Sequence, residues 1–368
     1  MSARHDVVIV GAGPVGLLLA CLLARRDVDV VVIERASSPS ARTRAVGIHP
    51  PGLDVLDAAG VGPAIVEAAI PIRRGVALSR GRTLGTLAFA RPVLSLPQDR
   101  TEALLEARLR DLAPTALRRG ATLLGARSVS NGVEIVTAEG RTTARTLVGA
   151  DGTRSIVRSG AGIGWTRIDA DVGFVMADAD DGTGKPTTAL LHLEPDGVVE
   201  SFPLPGERRR WVVRTDRRVR VSADEFAALV RARTGVALDS GSVTDPSPFA
   251  ARQRVAPAFA RGRVALVGDA AHEVSPIGGQ GMNLGWLDAA AFADAFAGAD
   301  PDAAEPWAEY AAARRRIALR AMRRARFNMA MGAPLSETSF PARNLAVRIL
   351  ASAPFRPAMA GVFTMRGL

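Results

Sequence analysis

At 368 residues, with 48% hydrophobic and 23% charged residues, the chain has room for two core-bearing lobes and sits inside the ordinary globular range, which excludes disordered and collagen-like classes. The formal net charge of +10 is carried almost wholly by arginine, Lys185 being the sole lysine, and these arginines are dispersed rather than laid out as a nucleic-acid footprint. The single cysteine, Cys21, cannot form an internal disulfide, and a reducing, cytoplasmic setting is expected.

In chain order, DVVIV, GAGPVG, LLLACLLARR and VDVVVIE (His5 to Glu34) read as strand, turn, helix and strand, a parallel pair joined by a right-handed crossover. The uncharged stretch from Val7 to Ala24 has the length of a signal-peptide core, but Gly11, Gly13, Pro14 and Gly16 interrupt it and no cleavage site brackets it. Neither export nor an integral membrane span is expected. Gly11, Gly13 and Gly16 spell G-x-G-x-x-G, with one glycine for the turn, one for close approach to a pyrophosphate and one for helix-on-strand packing. Glu34 follows about twenty residues on, where an acid can meet a ribose hydroxyl.

Residues Ile70 to Leu96 are strand-like with turns, and Gln98 to Leu112 has helical spacing, with Asp99 or Thr101 available as its cap. Strands follow over 121–126, 132–137 and 142–149, the last running into ADGTRSIVR. TTALLHL, VVESFPL and RWVVRT, separated by turns at Pro195-Asp196-Gly197 and Pro205-Gly206-Glu207, form an antiparallel meander. Ser222 and Glu225 carry a capping-box signature. GRVALVGD then returns the chain to the first lobe, and GDAAHEVSPIGGQGMN (268–283) lies between that strand and an alanine-rich helical pattern from Leu284 to Ala297. The densest basic group (Arg314, Arg315, Arg316, Arg320, Arg323, Arg324, Arg326) follows on one helix without interleaved aromatics, so a solvated face or an acidic contact elsewhere in the fold is expected, not nucleic acid. Pro334, Pro341, Pro354 and Pro357 punctuate the remaining helices.

The three motifs GAGPVG, GADGTRSIVR and GDAAHEVSPIGGQGMN, in this order and at these separations, resemble the single-component FAD-dependent aromatic hydroxylases, the para-hydroxybenzoate hydroxylase family. LPQDRTEALLEARL resembles the members that hydroxylate aromatic polyketides, and ARTRAVGIHPPGLDVLDAAGV is similar to the second FAD segment of the family. The resemblance covers most of residues 5 to 300. It implies an α/β fold with a Rossmann-like, three-layer FAD-binding lobe. That lobe is expected over 1–70, 97–163 and 250–300, with an inserted antiparallel-sheet substrate lobe over 71–96 and 164–249 and C-terminal helices over 301–368.

The same resemblance implies site residues. Gly11, Gly13, Pro14, Gly16, Glu34 and Arg35 would receive the adenosine and pyrophosphate, with Arg42 and Arg44 near the phosphates and Gln98 and Arg100 at a helix start against FAD. Asp151, Gly152 and Arg158 belong to a motif serving both FAD and NAD(P)H. Gly268 and Asp269 would hold the ribityl chain, and Pro276, Gly279, Gln280, Gly281, Met282 and Asn283 would line the isoalloxazine. The implied activity is hydroxylation of an aromatic or polyketide-like substrate with O2 through a flavin C4a-hydroperoxide, NADPH or NADH being the transient reductant. An isoprenoid-reductase-like flavoenzyme without oxygen transfer is the alternative, and a halogenase lacks its WxWxIP signature.

Pro276, His49 and His192 are the catalytic candidates; His272 reads as structural and His5 as exposed. The sole tyrosine, Tyr310, either reaches the pocket or leaves a histidine, or no base at all, to activate the substrate. Leu191, Phe202, Trp211 and the stretch from Val76 to Leu87 are candidate pocket wall. No histidines show metal-ligand spacing, so no metal is expected. The oligomeric state, monomer or homodimer, stays open.

Overall fold

Val7 to Val10 and Val30 to Ile33 are buried on both faces, as parallel strands covered by helices require, and they pair in parallel from Val7 opposite Val30 to Val10 opposite Ile33. The computed structural model describes residues 4–39, 45–130, 132–275, 278–300, 303 and 305–367. Between the two strands lies the helix Pro14–Ala24, with proline in its first turn and every residue from Gly16 to Leu23 buried. A helix apolar all round is buried in a core or in a membrane, and 11 residues are too few to span a bilayer. Among the described residues no helix is long and apolar enough to cross a membrane.

The first sheet runs, in spatial order, Ala260–Arg261, Val264–Leu266, Gly140–Gly149, Arg4–Val10, Val30–Glu34 and Leu117–Arg119, with the hairpin Leu123–Val129 and Gly132–Thr137 continuing from Gly140–Gly149. Its central strands are parallel. All three glycine motifs therefore emerge at one end of the sheet, outside the carboxyl ends of its strands, where open α/β sheets bind ligands.

The second sheet orders Ser247–Ala251, Val172–Asp180, Arg208–Thr215, Gly197–Leu204, Thr188–Glu194, Ile70–Ser79, Arg82–Ser95 and Gly47–Ile48. The expected meander is present, but the sheet is not wholly antiparallel: Thr188–Glu194 pairs in parallel with Ile70–Ser79, Thr188 opposite Arg74. That seam joins two pieces of chain far apart in sequence, and no short turn constrains their direction. One face of the sheet is covered by the helix Ala223–Thr234, whose Phe226 and Val230 pack on Val175, Val199, Trp211 and Val213. The Ser222–Glu225 capping box is formed in both directions.

The helix Gln98–Leu112 follows Pro97 and has no side-chain cap, so Asp99 and Thr101 do not serve as caps. Asp99 lies in the first turn, where its charge meets the helix dipole. Pro341 and Pro357 open the helices Phe340–Leu350 and Arg356–Phe363 rather than break them. His5 is not exposed: it lies within the first strand, 11% accessible, bonded to Asp29.

Candidate active site

Three separated pieces of chain bring glycine turns to one cavity of about 1220 Å³. Gly11 has φ +107, and a Cβ there would stand 2.5 Å from the Ala150 carbonyl oxygen. One on Gly16 would stand 2.0 Å from the Gly11 carbonyl oxygen. At both positions the backbone crosses another backbone too closely for a side chain. Gly13 is different. It is extended (φ −76), and a Cβ would meet nothing within 4 Å, because the residue faces the open cavity at the start of a helix. A bare backbone opening onto a cavity at a helix N-terminus is a cradle that a phosphate fills.

The acids around this cradle are held in position. Glu34 accepts from Ala12 N at 2.9 Å and from Ala36 N at 2.8 Å, which fixes its carboxylate at the strand end on the cavity wall. Asp151 accepts through Oδ2 from Ile156 N at 2.7 Å, while its Oδ1 is buried without a partner among the described residues. A ligand hydroxyl would satisfy that oxygen. Arg35, Gln98, Gly152 and Asp269 also line the cavity, and with Pro14 they complete a wall suited to the sugar-phosphate part of FAD.

Gly278 (φ +85) and Gly279 (φ +66) turn the chain into the helix Gln280–Gly298, which starts one turn before the alanine-rich pattern does. Two side chains clamp this turn. Asn283 donates to Gly47 O at 2.9 Å and Gly279 O at 3.0 Å and accepts from His49 N at 2.8 Å. His49 meets Gly278 O through Nε2 at 3.0 Å, so that nitrogen carries the hydrogen. Burial pushes the His49 pKa down to about 4. The ring is neutral at physiological pH and a weak base: it braces the turn.

Behind the turn, the buried Asp288 accepts from His272, from Arg314 Nε at 2.6 Å and from Gly268 N at 3.1 Å. Burial works to raise its pKa, but His272 and Arg314 outweigh that and hold the carboxyl below its ordinary value. Arg314 thus gives the basic cluster a buried acidic contact, while Arg326 meets Asp169 at 3.4 Å nearer the surface. Among the described residues no group of three or more His, Cys, Asp or Glu could hold a metal ion.

The other end of the cavity is floored by the second sheet. Gly85, Ala77, Leu191, Glu200, Val212 and Met176 are successive cross-strand partners, and all six line it. The C-terminal helices close the opposite side with Asn328, Met331, Val347, Ala351 and Phe363. A Cβ on Gly85 would stand 2.2 Å from Ala351 Cβ, so the helix lies directly on the sheet.

Residues 4–325 match the FAD binding domain family. The chain belongs to the FAD-dependent aromatic hydroxylases. Among the hydroxylase relatives, an uncharacterized aromatic compound monooxygenase of Bacillus subtilis is 34% identical over 306 residues, covering 78% of this chain and 60% of its own. A 12-dehydrotetracycline 5-monooxygenase/anhydrotetracycline 6-monooxygenase of Streptomyces rimosus is 34% identical over 308 residues, covering 78% and 61%. The solved structure of an anhydrotetracycline hydroxylase of Streptomyces rimosus superposes with a TM-score of 0.80 at 30% identity, covering 100% of this chain and 77% of that one. The chain spans about 60% of the length of the curated relatives it matches.

Several residues expected at the hydroxylase site lie elsewhere. His192 does not face the cavity: strand alternation points Ala189, Leu191 and Leu193 into it and His192 to the opposite face, 6.2 Å from the Trp211 ring. Trp211 likewise belongs to the core under the helix Ala223–Thr234, whereas Leu191 and Phe202 line the cavity. Tyr310 is buried, donating to Leu266 O at 2.9 Å, and does not line the cavity. Arg100 is exposed and off the cavity wall. Arg158 is buried over the Trp165 ring and donates to Ala270 O and Thr153 O, tying the second motif to the third. Gly16, Gly268, Gln280 and Asn283 stand behind the wall, whereas Gly281 and Met282 form part of it. Arg42, Arg44 and Pro276 lie outside the described residues. Glu200 is one of the cavity residues that sequence reading missed, with Met176, Val212 and those of the C-terminal helices. Its signal was a lone acid inside the apolar run VVESFPL.

Proposed function

We propose that the protein is an FAD-dependent monooxygenase that uses NADPH or NADH and O2 to hydroxylate an aromatic, polyketide-like small molecule. What supports this most is the continuity of one cavity: a phosphate cradle at one end, an apolar sheet floor at the other, and the braced Gly278–Gly279 turn between them. A volume of about 1220 Å³ exceeds the roughly 300–1,000 Å³ of an ordinary single-ligand pocket, in keeping with a coenzyme and a substrate side by side.

In this reading Gly11, Gly13 and Pro14 seat the pyrophosphate, Glu34 and Arg35 the adenosine, Asp269 the ribityl chain, and Gly279 to Met282 the ring system. Bound FAD supplies the redox and oxygen chemistry. The chain's residues position it: the neutral His49 and Asn283 hold the turn rigid, and the helices bearing Met331 and Phe363 keep water from the floor. The Streptomyces rimosus relative is named for oxidation of tetracycline intermediates, which suits a floor wide enough for fused rings.

The test is to purify the protein, record its flavin spectrum and follow NADPH and NADH consumption with a panel of aromatics under air and under nitrogen. Oxygen-dependent product heavier by one oxygen atom is expected. Anaerobic turnover to a saturated product would replace the monooxygenase with a reductase.

A further inference from the structure

Glu200 is 4% exposed, lines the cavity and has no hydrogen-bond or ionic partner among the described residues. Buried carboxyls are ordinarily paired. Its cross-strand neighbours, Leu191 and Val212, are apolar, and so are Val198 and Phe202, which line the cavity on either side of it along its own strand. The row from Gly85 to Met176, at roughly 4.8 Å per strand, runs about 24 Å, so Glu200 is a single carboxyl within a long apolar platform.

We propose, building on the monooxygenase reading, that Glu200 is the polar anchor of the substrate pocket: it accepts the hydrogen of a phenolic hydroxyl on a flat, polycyclic substrate and takes that proton. The phenol O–H bond breaks, its electron pair stays on the substrate oxygen, and the proton moves to Glu200 Oε. The ring becomes electron-rich at its ortho and para carbons, and no oxidant is consumed. The geometry suits the role that no tyrosine or histidine fills, since Tyr310 and His192 face elsewhere and His49 is engaged by Gly278 O.

Burial pushes the Glu200 pKa up to about 8, so the carboxylate that takes the proton forms as pH rises through 8, and it is a far stronger base than an ordinary carboxylate toward a phenol whose ordinary value is about 10. Charged groups on the packed elements are otherwise occupied. Arg210 is held by both oxygens of Asp178, Arg214 by Met329 O, Arg233 by Arg214 O, Arg343 by Leu193 O and Glu194 by Arg80 N. His192 points to the far face. None of them contributes to the shift, which comes from burial.

The experiment titrates purified protein with 1-naphthol and 1,8-dihydroxyanthraquinone and with their deoxy counterparts, naphthalene and anthraquinone, reading the ligand's own absorbance and fluorescence. The wild type is expected to bind at least one phenol about tenfold to a hundredfold more tightly than its counterpart, the range for a hydrogen bond to a charged group. Its phenolate band is expected to appear on binding and to grow as pH rises through 8. Glu200→Leu should erase the preference while binding the deoxy ligand within about threefold of wild type, and Glu200→Gln should keep most of the affinity but lose the phenolate band.

The proposal is overturned if wild type shows no phenol preference in either pair, if the Leu variant retains it, or if the Gln variant still produces phenolate. Circular dichroism on each variant reports an intact fold. Because the readout belongs to the ligand, absence of FAD or of oxygenated product would sink the monooxygenase reading without deciding this one.

Discussion

The contrast between Gly13 and Gly16 separates cofactor binding from folding. Gly16→Ala places a methyl 2.0 Å from the Gly11 carbonyl oxygen and 3.2 Å from Ala150 Cβ, contacts that only a shift of the helix Pro14–Ala24 relieves. Overpacking of this kind costs about 1–3 kcal/mol, a fall in Tm of roughly 1–4 °C for a chain of this length. Gly13→Ala places its methyl where no protein atom lies within 4 Å, at φ −76, which alanine adopts freely. It should leave apoprotein stability within about 0.5 kcal/mol of wild type. The same methyl points into the space assigned to the pyrophosphate, and displacing it should weaken FAD by at least about tenfold, some 1.4 kcal/mol. The assay is differential scanning calorimetry of deflavinated protein beside fluorescence titration with FAD. If Gly13→Ala binds FAD with wild-type affinity, the phosphate cradle is misplaced. If it unfolds the apoprotein, the open space beside Gly13 is misjudged.

Asp288→Asn leaves Arg314 without its carboxylate and weakens the contact to Gly268 N, so it should cost about 3–5 kcal/mol and lower FAD occupancy; a loss under about 1 kcal/mol would show the cluster to be dispensable. Tyr310→Phe should cost about 1 kcal/mol and leave kcat unchanged, because the hydroxyl serves only Leu266 O; a large fall in kcat would return the tyrosine to the mechanism. His49 and His192 both have pKa values lowered to about 4 by burial from an ordinary 6.5. The unfolded chain therefore takes up their protons first, and stability held above pH 6.5 should fall by about 3 kcal/mol per histidine as pH drops to 4. His192→Leu also removes two unpartnered ring nitrogens, so it should flatten that slope and raise stability at pH 7 by about 1 kcal/mol; an unchanged slope in urea unfolding would refute the burial argument.

The nucleotide half of the fold was legible because its constraints are local. A tight turn, a helix start and a strand-end acid each demand particular residues at particular spacings, and Gly11, Gly16 and Glu34 satisfy them within one crossover. The capping box at Ser222 is local in the same way. The half built on the second sheet was less legible, because both faces of that sheet are covered, one by the helix Ala223–Thr234 and the other by the cavity and C-terminal helices. With polar and apolar residues on both sides, alternation along TTALLHL and VVESFPL fixes which residues share a face but not which face that is. His192 was placed on the cavity side for that reason, and Glu200 was passed over. The cavity-closing role of the C-terminal helices could not be read either, since Asn328, Met331 and Phe363 meet the floor through contacts distant in sequence.

The Asn283 amide touches the turn at Gly279 with one atom pair and the strand edge at Gly47 and His49 with two others. One side chain thereby welds the turn proposed to seat the coenzyme to the rim of the sheet proposed to carry a substrate. Any ligand that shifts this rim by tightening on the floor alters coenzyme affinity by some factor, and thermodynamic reciprocity obliges the coenzyme to alter that ligand's affinity by the same factor. Where flavin and substrate both bear on this joint, one coupling free energy governs the loading of each.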